Sequence, residues 1–273
     1  MEKPLPVLGL ALPGELLPAY RDWLWEHGGR DLEIQDPARP EVLDGDWKPR
    51  VAQLRELLAG YPGRIGIHGP YDGLWMASSD PYVRRMVAER YRQGLEFAAE
   101  LGASHMVIHS PFLFFGHPQM VHAPSNGLAR ELEFAHDTLA AVLPLARDLG
   151  LTLVIENVRD TNPAPLLVLV RSFDSEHVRL SLDVGHAYLM QQIGGPSPDQ
   201  WVREAGPLLG HLHLQDNDGL LDRHWPPGEG GIRWGALFRA LAELEVRPRL
   251  ILEVRHERLA EAAAWLVGQG LAR

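Results

Sequence analysis

Short apolar runs that end in a polar residue recur along the chain, and longer stretches with helical spacing separate them. The runs are PVLGLAL (6–12), DLEIQ (31–35), RIGIH (64–68), HMVIH (105–109), LTLVIE (151–156), VRLSLD (178–183), HLHLQ (211–215) and RLILE (249–253). Apolar runs of this length bounded by polar residues are typical of buried strands. The pattern therefore predicts eight strands.

Amphipathic stretches lie between these runs, most clearly at 81–101 and 127–149. In both, apolar residues return at three and four positions, and Gly102 and Gly150 follow as helix stops. Strands that alternate with helices without a break in composition predict an α/β fold, one (β/α)8 TIM barrel over 1–273. A doubly wound open sheet is the alternative, but no GxGxxG or GxxxxGK follows the first strand, which disfavours its nucleotide-binding form.

Composition narrows the chemistry. The chain is 45% hydrophobic and 23% charged, as in ordinary globular proteins. A net charge of -10 gives no electrostatic footprint for nucleic acid or anionic membrane, although local basic patches remain compatible with it, so a small-molecule substrate is favoured. Without cysteine, any metal must be held by histidine and carboxylate. No signal peptide or long apolar window is present, so we expect a cytoplasmic protein; a homo-oligomer stays open.

Metal-binding residue types stand at the ends of six predicted strands. They are His68, His109, Glu156, Asp183, His213 and Glu253, with His186 three positions after Asp183. A single histidine or carboxylate of this kind is commonly a solvated or structural residue, but in a barrel all strand ends meet at one catalytic face. Because like charges crowded there would repel, the set predicts a divalent cation. We expect Gly185 to turn the chain sharply, so that Asp183 and His186 face one pocket.

The other histidines are not expected to bind the metal directly. His211 points the same way as His213 but lies deeper, so we expect it to support the site or fill the core. The remaining ones are expected to be structural or solvent-facing: His27, His105, His117, His122, His136, His177 and His256.

The segment DRHWPPGEGG (222–231) follows the seventh predicted strand and carries Asp222, Arg223 and His224. It can be an Asx-type turn with exposed side chains. Alternatively, it supplies further metal ligands or substrate contacts that Pro226 and Pro227 hold rigid, so that little entropy is lost on binding.

Seven motifs between residues 64 and 255 together resemble the xylose isomerase-like TIM-barrel superfamily. These are IHGPY (67–71), VIHSP (107–111), VIENV (154–158), LDVGHA (182–187), HLHLQDNDG (211–219), DRHWPPGEGGIRW (222–234) and LILEV (250–254). The superfamily includes sugar and sugar-phosphate isomerases and epimerases and also endonuclease IV. The resemblance implies a barrel with its active site at the C-terminal ends of the strands.

The isomerase and epimerase pattern implies one divalent metal, Mn, Mg, Zn or Co, held by Glu156, Asp183, His213 and Glu253. Glu156 and Glu253 would relay a proton through a metal-stabilised ene-diolate of a sugar or sugar phosphate. His186, Arg223 and His224 would contact that substrate. Three tryptophans can form an apolar wall for the sugar or simply pack: Trp75, Trp225 and Trp234.

The endonuclease IV pattern implies three zinc ions and a phosphodiesterase that acts on abasic DNA. His68 and His109 would share Glu156 on one ion, the four isomerase ligands would hold the second, and His186, Asp222 and His224 the third. All nine ligand types are present. However, VLGLALPGELLPAY (7–20) does not resemble the opening of endonuclease IV, and DNDGLLDRHWPPGEG (216–230) resembles sugar-isomerase-like members. The expectation is therefore an isomerase or epimerase with one to three ions; the phosphodiesterase and a non-catalytic sugar-binding barrel are the alternatives.

Overall fold

Eight parallel strands close into a barrel in the computed structural model, which describes residues 4–112 and 127–273. The strands are β1 Leu8–Leu12, β2 Leu32–Ile34, β3 Ile65–His68, β4 His105–His109, β5 Thr152–Glu156, β6 Val178–Asp183, β7 Leu209–Leu214 and β8 Arg249–Leu252. Each pairs with the next, and β8 pairs with β1. The predicted barrel is confirmed, and the open-sheet alternative is wrong. His117 and His122 lie outside the described residues.

Helices surround the barrel. They are α1 Leu17–Trp25, α2 Pro40–Asp44, α3 Lys48–Leu57, α4 Pro81–Leu101, α5 Gly127–Ala140, α6 Leu143–Asp148, α7 Pro163–Ser172, α8 Val184–Gln191, α9 Pro198–Ala205, α10 Trp234–Glu243 and α11 Leu259–Gly268. The helix predicted at 81–101 is α4, capped by the Asp80 side chain and ended by Gly102 in the left-handed region. The helix predicted at 127–149 is two helices, because Pro144 in the first turn of α6 has no N–H to continue α5. No described helix is long and apolar enough to cross a membrane.

The chain passes from β6 into α8 without a loop. Asp183 ends the strand and caps the helix, since its Oδ1 accepts a hydrogen bond from the His186 backbone N–H at 2.6 Å. The turn predicted at Gly185 is therefore wrong, because Gly185 lies inside α8. Its missing side chain instead makes room for Gln215, whose side-chain atoms would lie 2.2 Å from a Cβ at that position.

The strand register brings the polar strand ends together. His109 stands opposite Glu156 across β4 and β5, and Asp183 stands opposite His213 across β6 and β7. Parallel strands present their carboxyl ends at one face, so these side chains share the rim where barrel active sites lie. The fold thus delivers the predicted ligands to one place.

Candidate metal centre

Three carboxylates, from the ends of β5 and β6 and from the residue after β8, meet around an imidazole nitrogen of β7. Glu156, Asp183 and His213 are buried, and each offers a ligand atom within 4.8 Å of the other two. Nδ1 of His213 lies 2.7 Å from Oε2 of Glu156 and 3.3 Å from Oε2 of Glu253. The four residues that the isomerase pattern implies as ligands are therefore brought together.

The atoms at this meeting point fit a divalent cation. Glu156 Oε2, Asp183 Oδ2 and His213 Nδ1 are all buried, and none of them forms a hydrogen bond of acceptable geometry, although the first and the last lie 2.7 Å apart. Leaving such atoms unsatisfied in a protein interior is costly, and buried charges are normally paired or coordinate a metal. Carboxylate oxygen and imidazole nitrogen are also the donor types that Zn and Mn accept.

Negative charge is crowded at the centre. Burial raises the pKa of Asp183 to about 6, and the neighbouring carboxylates of Glu156, Asp222 and Glu253 add to the rise. Burial alone would also raise the pKa of Glu156, but the neighbouring side chains of His213, His186 and His109 together outweigh burial and hold that pKa well below its usual range. A divalent cation relieves this repulsion between carboxylates.

A second group of ligand types adjoins the first. His68, His109 and Glu156 also offer one atom each within 4.8 Å of one another. Nδ1 of His68 lies 2.9 Å from the carbonyl oxygen of Gly69, so the ring can donate there and leave Nε2 as a ligand atom. Burial lowers the pKa of His109 to about 3, which keeps this imidazole in the neutral form that binds metals.

The loop after β7 adds a third cluster at the rim. Oδ2 of Asp222 lies 3.2 Å from Nε2 of His186 and 3.1 Å from Nε2 of His224. The Nδ1 atoms of the two rings face backbone carbonyls, of Asn157 at 3.0 Å and of Glu253 at 2.7 Å. His224 also has a φ of 50°, a strained value for a residue with a side chain. Metal binding and substrate binding are both compatible with this cluster.

Asp216 holds that loop against the barrel, a role that we did not predict. Its fully buried carboxylate accepts hydrogen bonds from the backbone N–H groups of Asn217, Gly228 and Ile232 at 3.0, 2.9 and 3.3 Å. It also accepts one from the indole N–H of Trp234 at 2.9 Å. Trp234 is buried by these contacts, so of the two interpretations of this tryptophan the structure shows packing.

The other predicted substrate contacts lie nearby with partners of their own. Nε and Nη2 of Arg223 bind the Asp218 carboxylate at 3.1 and 2.9 Å, and the guanidinium carbon lies 5.6 Å from the Trp225 ring. Trp75 is 43% exposed and donates its indole N–H to the carbonyl of Pro111 at 3.2 Å. Contact of Arg223, Trp225 and Trp75 with a substrate stays a prediction.

Glu33 is the principal site residue that sequence reasoning missed. It lies in β2, buried inside the barrel, with Oε1 2.9 Å from Nε2 of His213 and Oε2 3.0 Å from Nε2 of His211. These three residues form a further group whose ligand-type atoms lie within 4.8 Å of one another. His211 sits below His213 in the core, as expected. The one sequence feature that could have drawn attention to Glu33 is its place between two apolar residues, Leu32 and Ile34, in a short predicted strand.

The remaining described histidines lie outside the rim. His105 is fully buried near Glu33, with Nε2 3.9 Å from Oε2 of that carboxylate. The others have separate surroundings: His136 stacks on Phe173, His177 faces the Leu151 carbonyl, His256 faces the Gln35 side chain and His27 is exposed. None of them approaches the predicted ligands as His68, His109 and His213 do.

Residues 22–269 match the family described as the xylose isomerase-like TIM barrel, and the chain belongs to this family. Among curated relatives, the uncharacterised protein MJ1311 of Methanocaldococcus jannaschii is 29% identical over 201 residues, which are 71% of this chain and 65% of that protein's length. Fructoselysine 3-epimerase of Escherichia coli O157:H7 is 24% identical over 237 residues, 82% of this chain and 80% of the enzyme.

Solved structures show the same architecture. A D-tagatose 3-epimerase-like protein superposes with a TM-score of 0.76 at 24% identity, and the match covers 97% of this chain and 98% of that one. The TTHB071 protein of Thermus thermophilus, from a structure with ZnCl2 soaking, gives a TM-score of 0.75 at 30% identity, covering 97% of both chains. Sugar epimerases are therefore among the structural neighbours of this barrel.

Proposed function

We propose that the protein is a divalent-metal-dependent sugar or sugar-phosphate isomerase or epimerase. One observation carries the proposal: Glu156 and Glu253, from different strands, both face Nδ1 of His213, at 2.7 and 3.3 Å. Moving a proton off and back onto a sugar carbon requires acid and base groups around one bound substrate. The similarity to fructoselysine 3-epimerase supports a sugar substrate.

Glu156, Asp183, His213 and Glu253 would hold the metal. When bound, a divalent cation polarises a carbonyl and the adjacent hydroxyl. It thereby acidifies the proton on the carbon that bears this hydroxyl. One of Glu156 and Glu253 would then remove that proton to leave an ene-diolate, and the other would donate its own proton to the same carbon. Because the two carboxylates belong to β5 and to the end of β8, they can serve opposite faces of one carbon. Removal on one face and return on the other inverts the configuration, which favours epimerisation.

The cluster at the rim would bind the rest of the sugar. Asp222 can accept hydrogen bonds from hydroxyl groups, and His186 and His224 can donate to hydroxyl or phosphate oxygens. The exposed ring of Trp75 offers an apolar surface for the face of a sugar ring. These contacts would place the reacting carbon between Glu156 and Glu253.

Hydrogen exchange in deuterated water tests the proposal. The protein, loaded with Mn or Zn, is incubated with a panel of ketoses, aldoses and their phosphates, with NMR for deuterium incorporation and chromatography for new epimers. Glu156→Gln and Glu253→Gln should each lower exchange by about 10²- to 10⁴-fold, the usual contribution of a general acid or base. Glu100→Gln, at an exposed surface carboxylate, should not. Absence of exchange with every sugar contradicts the proposal.

A phosphodiesterase is the second candidate because all nine ligand types of a three-zinc site gather here. His68 and His109 adjoin Glu156, while Asp222 joins His186 to His224. Counting metal separates the candidates: about three tightly held zinc ions with incision of abasic DNA would favour the phosphodiesterase. The net charge of -10 disfavours the phosphodiesterase.

A non-catalytic sugar-binding barrel is the remaining alternative. It would be indicated if the wild type and Glu253→Gln bound a sugar with equal affinity and neither exchanged its protons.

A further inference from the structure

A buried carboxylate stands in the barrel interior beneath the metal centre. Glu33 is the middle residue of β2, is fully buried, and has no place in the proton transfers proposed above. Burying an ionised carboxylate is expensive unless hydrogen bonds or a partner charge compensate it. Its surroundings should therefore reveal what it does.

Glu33 faces His213 from the side opposite the centre. Nε2 of His213 lies 2.9 Å from Oε1 of Glu33 with hydrogen-bond geometry, and a carboxylate oxygen can only accept, so Nε2 carries the proton. In a neutral imidazole the other nitrogen, Nδ1, then presents a lone pair. Nδ1 is the atom that faces Glu156 and Glu253.

Two more histidines pack against Oε2 of the Glu33 carboxylate, although neither forms a hydrogen bond of acceptable geometry with it. Nε2 of His211 lies 3.0 Å from Oε2, and the ring of His211 is fixed in turn by Ser181, whose Oγ lies 2.8 Å from its Nδ1. His105 closes another side, with Nε2 3.9 Å from Oε2. Gly66 makes room for that ring, since a Cβ there would lie 1.9 Å from it. The carboxylate therefore has little freedom to turn away from His213.

We propose that Glu33 is a positioning residue that holds His213 in the tautomer and orientation whose Nδ1 faces the metal centre. The inference rests on the proposed metal dependence but not on the identity of the substrate. Carboxylates that fix a ligating histidine in this way typically contribute about 10- to 100-fold to metal affinity.

Zinc titration of the apoprotein by calorimetry tests the role of Glu33. Glu33→Gln keeps the shape of the side chain but removes its charge, and it should weaken zinc binding by about 10- to 100-fold. Asp31→Asn is the matched control, because Asp31 is a buried carboxylate directly before β2, two residues from Glu33, and pairs with Arg64 at 2.6 and 2.7 Å. This control should bind zinc as the wild type does.

The tautomer itself is read by long-range ¹H–¹⁵N NMR on the zinc-loaded wild type, with the His213 signals assigned by their loss in His213→Asn. A proton on Nε2 and none on Nδ1 is expected. Zinc affinity of Glu33→Gln within about twofold of wild type overturns the role of Glu33 and leaves the proposed function standing. A proton on Nδ1 overturns the role of Glu33 and also removes His213 from the proposed metal ligands. A wild type that binds no divalent metal overturns both. If Glu33→Gln does not fold, the same NMR measurement on the metal-free wild type decides, because no zinc then sets the tautomer of His213.

Discussion

Replacing Asp216 with asparagine should loosen the loop that carries Asp222 and His224. Oδ2 of Asp216 accepts from Gly228 N and Trp234 Nε1 at 2.9 Å each, whereas Oδ1 accepts from backbone groups at 3.0 and 3.3 Å. Asparagine has one acceptor oxygen, and we expect it to take the place of Oδ2, where both bonds are short. The amide NH2 group then opposes two N–H donors that it cannot satisfy.

The size of the effect follows from those two lost acceptors. A buried donor left unsatisfied costs about 1–3 kcal/mol, so two of them, with some relaxation, cost about 2–4 kcal/mol. If the cost falls on the loop, its open state becomes roughly 30- to 700-fold more populated, since every ~1.4 kcal/mol is a factor of ten.

Amide hydrogen exchange at Trp225 measures this opening, because Trp225 N donates to the backbone oxygen of residue 216, which the substitution leaves in place. Exchange there should accelerate by the same factor in Asp216→Asn. Asp218→Asn is the control. Its amide oxygen can keep the place of Oδ1, which accepts from the backbone N–H groups of Leu220 and Leu221, so that only the partly exposed pair between Oδ2 and Arg223 is lost, worth about 0.2–1 kcal/mol. Exchange within threefold of wild type in Asp216→Asn, or equal acceleration in both variants, would refute the reasoning.

Three further predictions concern stability. Burial raises the pKa of Asp160 to about 7, so between about pH 4 and pH 7 the folded chain keeps a proton that the unfolded chain has lost. Over that range the free energy of unfolding of the wild type should fall relative to Asp160→Asn by up to ~4 kcal/mol, measured by urea titration at several pH values; parallel curves would contradict this. Gly66→Ala should lower the free energy of unfolding by about 1–3 kcal/mol because its Cβ meets the His105 ring, whereas Gly268→Ala, with open space around it, should change it by less than ~1 kcal/mol. Divalent metal at about 100 times its Kd should raise the free energy of unfolding by about 2.7 kcal/mol and chelator should reverse this; a thermal melt unaffected by either would count against the metal centre.

The barrel was predictable because its strands are apolar runs whose polar residue falls at the end. His68, His109, Glu156 and Asp183 each end a strand at the predicted position. Helix α4 was equally predictable, since residues typical of helix caps, Asp80 and Gly102, stand at its two ends. The break between α5 and α6 was missed because the apolar spacing continues through it, and only Pro144 marks the new first turn.

Glu33 and Asp216 could not be recognised in the same way, because their roles depend on distant partners. In DLEIQ, Glu33 alternates with apolar neighbours as a solvent-facing strand residue would, and only closure of the barrel places it beside His213. Asp216 stands in DNDG, which has the composition of a turn, and its partners Gly228 and Trp234 become neighbours only when the loop folds back.

The hydrogen bond between Glu33 and His213 joins residues 180 positions apart, on strands β2 and β7 that do not pair with each other. It can form only after the barrel has closed, and contacts of such separation in sequence form late and slowly. In a partly folded chain Glu33 would therefore not yet fix the tautomer of His213. Metal would bind tightly only to chains whose barrel has closed. Added metal should accordingly lower the rate of unfolding by a larger factor than it raises the rate of folding.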